Sequence, residues 1–223
     1  MSSRLILVVI VALSFSSTFV NGQSISAEEL LKKSINYHDP KDILTSKEVT
    51  FELGEERPNG ETRNTTINID IPAETVSIAS KREGHQINSQ WQAGVTSSTI
   101  DGNADISDED IKKYRLTTER LTIMKDYYRY LWHLPTTLLD PGTIIDPKVK
   151  QVDFFGQSLL EIKVTYEATI GKDIWYFYFN PESFALSGYR FYHDESANDG
   201  EYILLSGETK TKSLRLPSRR EWY

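Results

Sequence analysis

Apolar and polar side chains alternate with a period of two through residues 46–100, and turn residues interrupt the pattern at short intervals. Val49, Phe51 and Leu53 share one face, and Glu56-Arg57-Pro58-Asn59-Gly60 turns the chain. Ile67, Ile69 and Ile71 share the next face before Pro72, followed by Val76 and Ile78. After Arg82-Glu83-Gly84, the segments His85–Gln92 and Gly94–Ile100 continue the series. Short alternating runs with turns at this spacing predict a meander of antiparallel hairpins rather than βαβ units. The pattern returns at Val149–Phe155 and Leu159–Tyr166 and through the aromatic stretch 170–207, which reads as three strands; Ser213–Leu216 reads as a last short one.

Two regions switch to helical spacing. Ser26 with Glu29 forms a capping box for a helix from Ala27 to about His38, where Asp39-Pro40 stops it. Ser107 with Asp110 opens a short helix ending near Tyr114. Thr117 or Thr118 starts a longer one to about His133, with Leu121, Met124, Tyr128 and Leu131 on one side. No repeat or interdomain linker is visible. The expectation is one α+β domain over residues 23–223, with the helical insert at about 107–133 between two sets of hairpins.

The most aromatic run is Trp175-Tyr176-Phe177-Tyr178-Phe179. A four-residue loop at Asn180–Ser183 would set Phe179 opposite Phe184, Phe177 opposite Leu186, Trp175 over Gly188 and Asp173 against Arg190. Trp175, Phe177 and Phe179 then form a packing face. Tyr176 and Tyr178 point the other way, together with Tyr189, on a face that tolerates water or a ligand.

The N-terminus changes the compartment. Met1–Arg4 followed by the apolar run Leu5–Leu13 and the small-residue region before Gln23 reads as a secretory signal, with cleavage after Gly22. The run is shorter than the roughly 20 apolar residues of a spanning helix, so a soluble exported protein, periplasmic or extracellular, is expected. With no cysteine the exported chain must rely on its core rather than on disulfides. A net charge of −7 with no basic cluster argues against nucleic acid and anionic membranes as partners. A monomer is expected.

Catalytic signatures are sparse. His38, His85, His133 and His193 have no metal-ligand spacing, and His38 and His133 fall at helix C-termini, where the dipole favours positive charge. The acidic segment 193–201 lacks the calcium-loop spacing and reads as a solvated turn. No nucleophile elbow or phosphate loop is present. Neither a catalytic set, a metal site nor a cofactor is therefore assigned.

Taken together, Tyr37-His38-Asp39-Pro40, Leu131-Trp132-His133-Leu134-Pro135 with Asp140-Pro141-Gly142-Thr143, Gly171–Phe177 and Asp199-Gly200-Glu201-Tyr202 resemble an uncharacterised family of exported Gram-negative proteins. That family is distantly similar to lipoprotein carriers of the LolA/LolB type. The resemblance covers nearly all of the mature chain. It implies a strongly curved antiparallel sheet, an unclosed half-barrel, with helices over the concave face and a cavity between them for acyl chains. On that expectation Tyr127, Tyr128 and Trp132 of the helix, and Tyr176, Tyr178 and Tyr189 of the sheet, line the cavity. The ligand class is a lipid, an acylated polypeptide or another apolar molecule. The alternatives are an interaction module of the cell envelope, with a protein partner, or a metal-dependent hydrolase.

Overall fold

The computed structural model describes residues 25–211 and 213–223. The expected signal segment and its cleavage site lie outside these residues. Helix α1 (Ala27–His38) starts where the capping box placed it, with Ser26 Oγ accepting the Glu29 amide at 3.2 Å. Its buried residues Ala27, Leu30, Leu31, Ser34 and His38 recur at helical spacing. Asp39 ends α1 and caps the next turn, α2 (Ile43–Ser46): its carboxylate accepts the amides of Ile43 and Leu44, both at 2.8 Å.

Strands β1 (Val49–Glu56), β2 (Thr62–Asp70), β3 (Thr75–Arg82), β4 (His85–Gln92) and β5 (Val95–Ile100) form a five-stranded meander in chain order. Phe51 lies opposite Ile67 and Ile69 opposite Val76, so the alternating apolar positions stack into one buried face. Helices α3 (Asp108–Tyr114) and α4 (Thr118–Trp132) follow, capped by Ser107 and Thr117.

The second sheet contains β6 (Thr143–Phe154), β7 (Gln157–Tyr166), β8 (Ile174–Phe179), β9 (Leu186–Tyr192), β10 (Glu201–Ser206) and β13 (Arg219–Trp222) in spatial order β13-β10-β9-β8-β7-β6. Between β10 and β13 the chain makes a small ribbon, β11 (Thr209–Thr211) with β12 (Leu214–Leu216). The pairings are antiparallel, and neither sheet closes into a barrel. The protein is α+β. Phe51, Ile67 and Ile69 from the first sheet, Ile162, Phe177, Phe179 and Ile203 from the second, and Leu30 and Leu131 from the helices share one hydrophobic cluster.

Helix α4 runs between the sheets and touches both. Near its start Thr118 meets Thr96 of β5, and Lys125 lies over Trp91 of β4, 4.3 Å from the ring centre. On another side Tyr130 packs against Trp175 of β8 and shares a hydroxyl–hydroxyl hydrogen bond with Tyr166 of β7. Beyond its end His133 stands edge-on to Phe51 of β1, with ring centres 5.9 Å apart.

The β8–β9 register differs from the expected one. Phe179 faces Leu186, Phe177 faces Tyr189, Trp175 faces Phe191 and Tyr176 faces Arg190, with an irregularity between Tyr178 and Phe179. The cause is the loop. Asn180 Oδ1 accepts the amides of Glu182 and Ser183, and the Asn180 carbonyl accepts the Phe184 amide at 2.9 Å. This winds residues 180–185 into a longer connection than a four-residue loop. Asp173 therefore meets His193 (2.8 Å), not Arg190. The glycine at 188 is covered by Phe154 instead of Trp175: a Cβ there would lie 2.9 Å from Phe154 Cε1. Trp175, Phe177 and Phe179 do share the face of the main core.

Candidate functional site

The altered register divides the six aromatic residues expected to line one cavity. Tyr176 and Tyr178 project from the outer face of the second sheet and belong to a separate cluster with Leu159. Tyr178 stacks on Phe154 with ring centres 3.8 Å apart, and the Tyr176 hydroxyl donates to Glu195, which also takes Lys163 Nζ at 3.0 Å. Both rings are fully used in packing.

Tyr189 lies on the inner face, where a shift by an odd number of residues must put it. There it packs on Trp175 and Phe177 and shares the main core with Tyr128 and Trp132 of α4. Tyr128 packs on Trp132 one turn further along (5.5 Å), the i,i+4 contact of a helical surface, and the adjacent Tyr127 ring meets Tyr128 edge-on (5.3 Å). Tyr128, Trp132 and Tyr189 are buried, while Tyr127 is 40 % exposed and forms a rim. Burial raises the Tyr127 hydroxyl to about 12, and Tyr128 and Tyr189 are also raised by burial, so these phenols stay neutral at physiological pH.

The sequence reading did not single out Arg220, which completes this group. Strand β13 pairs Arg220 with Leu205 and Trp222 with Ile203, and Ile203 pairs with Tyr189. All five side chains therefore face inward. The Arg220 guanidinium carbon sits 4.5 Å from the centre of the Trp132 ring. Its only hydrogen bond among the described residues is a long one, 3.4 Å from Nη1 to the Pro217 carbonyl. Nε is sealed from solvent without a partner, as is the Tyr189 hydroxyl. The influences on the two groups are mutual: the positive charge pulls the tyrosine down against its burial, and the phenol holds the guanidinium up against its own.

This is costly for a guanidinium, which carries five donors and no acceptor. Arg220 is half-buried with only Nε sealed, so the cost falls mainly on that donor, and a cation–π contact of about 0.5–2 kcal/mol offsets part of it. Nearby charges do not complete the balance. Arg63 takes both oxygens of Glu55 at 2.5 and 2.8 Å, and Arg82 donates to the Tyr114 carbonyl at 2.8 Å and to Ser80. Glu55 is thereby committed to Arg63, and no carboxylate among the described residues forms an ion pair with Arg220.

The histidines expected to exploit helix dipoles are instead buried. His38 has its ring fixed between Arg215 O at Nδ1 (2.6 Å) and the Leu186 amide, which donates to Nε2 at 2.9 Å. Burial lowers its pKa. His133 has no partner at either ring nitrogen, and burial followed by the Arg129 charge lowers it to about 4. Both rings are neutral, so the dipole is not what holds them there. In the 193–201 segment Asp199 accepts the amides of His193 and Asp194, and Asp194 accepts that of Ser196. These carboxylates shape the loop. Among the described residues no three His, Asp or Glu side chains gather as a metal site.

An open α+β arrangement of antiparallel sheets around an aromatic helix defines the structural class, and among the described residues no helix is long and apolar enough to cross a membrane. Residues 4–223 match a family of unknown function (DUF6503), and the chain belongs to that family. No curated protein matches it at a significant level.

Proposed function

We propose that the protein is a non-enzymatic binding protein, an exported carrier or chaperone for a lipid, an acylated polypeptide or a similar apolar ligand of the cell envelope. In this reading the two sheets act as the halves of an open, curved half-barrel of the LolA kind, and α4 lies over its concave face. The observation that carries it is the convergence of Tyr127, Tyr128 and Trp132 with Tyr189 between the sheets, around polar atoms with no partner in the protein. Aromatic linings with a few placed polar groups are typical of small-molecule sites. A groove of about 550 Å³ runs along α1, floored by Ala27, Leu31, Ile35, Leu139 and Ile145, and offers apolar surface on the other side of the same core.

The test is to purify the protein from its own cell envelope, denature it in organic solvent and identify the released molecules by mass spectrometry. Stoichiometric recovery of an apolar compound supports the proposal, and its repeated absence refutes it.

One observation favours a protein-interaction module instead. Phe155, at positive φ in the β6–β7 turn, is 51 % exposed and packs with Tyr202 and with the 55 % exposed Tyr223. If this aromatic patch is the functional surface, replacing Phe155 with Ser abolishes partner recovery in cross-linking from the envelope but leaves any bound small molecule in place.

A further inference from the structure

Resting on the carrier reading, we propose that Arg220 and Tyr189 form the head-group site of that ligand, and that the ligand is an anionic amphiphile: a carboxylate or phosphate group on an apolar chain. The guanidinium Nε and the Tyr189 hydroxyl are sealed from solvent, and the polar neighbour of each is the other, placed too poorly to form a good hydrogen bond. Tyr189 is 1 % exposed, so no water from bulk reaches its hydroxyl in this state. A negatively charged oxygen pair is the group that satisfies both at once, since arginine offers a planar fork matched to carboxylate and phosphate.

The surroundings select the rest of the ligand. Trp132 forms one wall 4.5 Å from the guanidinium carbon, and Tyr128 packs behind Trp132. Trp222, two positions along β13, shares the inward face and is 42 % exposed, and Tyr127 on α4 is 40 % exposed. These are the two accessible rings on the elements that carry Arg220 and Trp132. A small hydrated anion gains nothing from these rings, whereas an anion with an apolar tail also covers the exposed Tyr127 and Trp222 rings. Of the acidic side chains nearest the helix, Glu55 is held by Arg63 through both oxygens, and Glu201, on the inward face of β10, lies toward Tyr127 rather than against the guanidinium.

The experiment uses delipidated full-length mature protein and three ligands with the same chain: dodecanoate, dodecyl phosphate and dodecanol. Binding is read by calorimetry and by tryptophan fluorescence. Wild type is expected to bind at least one of the two anions about tenfold or more tightly than the alcohol, the gain of a charge-assisted pair. Whichever anion binds more tightly identifies the head group. In Arg220→Met this preference collapses to near unity while dodecanol affinity holds, Arg220→Lys retains part of it, and Tyr189→Phe loses a few-fold. Equal wild-type affinity for anion and alcohol, or a preference surviving in Arg220→Met, overturns the head-group assignment while leaving the carrier reading intact. Failure of all three ligands to bind wild type refutes the carrier reading itself. Should Arg220→Met fail to fold, the wild-type comparison and Tyr189→Phe still decide.

Discussion

His133 makes stability depend on pH in a window where few other groups contribute. Its ring is 2 % exposed, both nitrogens lack partners, and burial with the Arg129 charge lowers the pKa from 6.5 to about 4. The folded state thus holds the ring neutral while the unfolded chain takes up a proton as the pH falls below 6.5. Stability from this group is complete above that value and is lost progressively down to about 4. Linkage gives a loss of about 2 kcal/mol between about pH 7.5 and about pH 5. In a domain of this size that lowers the melting temperature by roughly 4–8 °C. His38 acts in the same direction, because protonating Nε2 removes the acceptor of the Leu186 amide. The fully exposed His193, raised by Asp173, acts in the opposite direction. The carboxylates that are lowered, among them Glu195 and Glu208, titrate below this window.

The assay is urea unfolding at the two pH values for wild type and His133→Phe. Comparing the change with pH, not the absolute stability, cancels the repacking cost of the substitution. The variant should lose about 2 kcal/mol less than wild type over the interval. An unchanged pH dependence in His133→Phe would falsify the argument, because it would mean the ring is not buried unpaired.

Other perturbations probe the frame around the site. Gly188→Ala brings a methyl group to 2.9 Å from both Phe154 Cε1 and the Ile203 carbonyl; a loss of about 1–3 kcal/mol by thermal or chemical unfolding is expected. Asp39→Ala strips the amides of Ile43 and Leu44 of their acceptor and should cost roughly 1–3 kcal/mol, with Asp39→Asn recovering part of it. Tyr130→Phe and Tyr166→Phe each remove one half of a shared hydrogen bond. A double-mutant cycle should return a coupling of about 0.5–1.5 kcal/mol, and additive effects would show that the pair is not formed.

The helices were readable because their signals are local. Ser26 and Ser107 accept the amides of Glu29 and Asp110 as the capping boxes predicted, and Thr117, one of two candidate starts for α4, accepts that of Arg120. The meander was readable for the same reason, since each strand is bounded by its own turn. The β8–β9 pairing was not, because one side-chain oxygen of Asn180 decides how many residues the loop absorbs. No period-two pattern reports that choice, and it moved Tyr189 from the company of Tyr176 and Tyr178 to that of Trp132. Arg220 was missed for a related reason. A four-residue strand reading Arg-Arg-Glu-Trp carries no apolar alternation, and only its pairing with β10 turns Arg220 inward. The α4 half of the site was visible in the helical spacing of its aromatic residues, whereas the sheet half depended on register.

The ring of His38 joins parts of the chain that are made far apart in time. Its two partners, Leu186 and Arg215, lie 148 and 177 residues further along. As the polypeptide emerges from its N-terminus, α1 is the first described helix to appear, yet neither of these bonds can form until nearly the whole chain has been delivered. Closing loops of that length comes late on entropic grounds as well. The earliest described helix thus gains its two histidine bonds only after the chain has passed Arg215, and a chain that stops before Leu186 has neither of them.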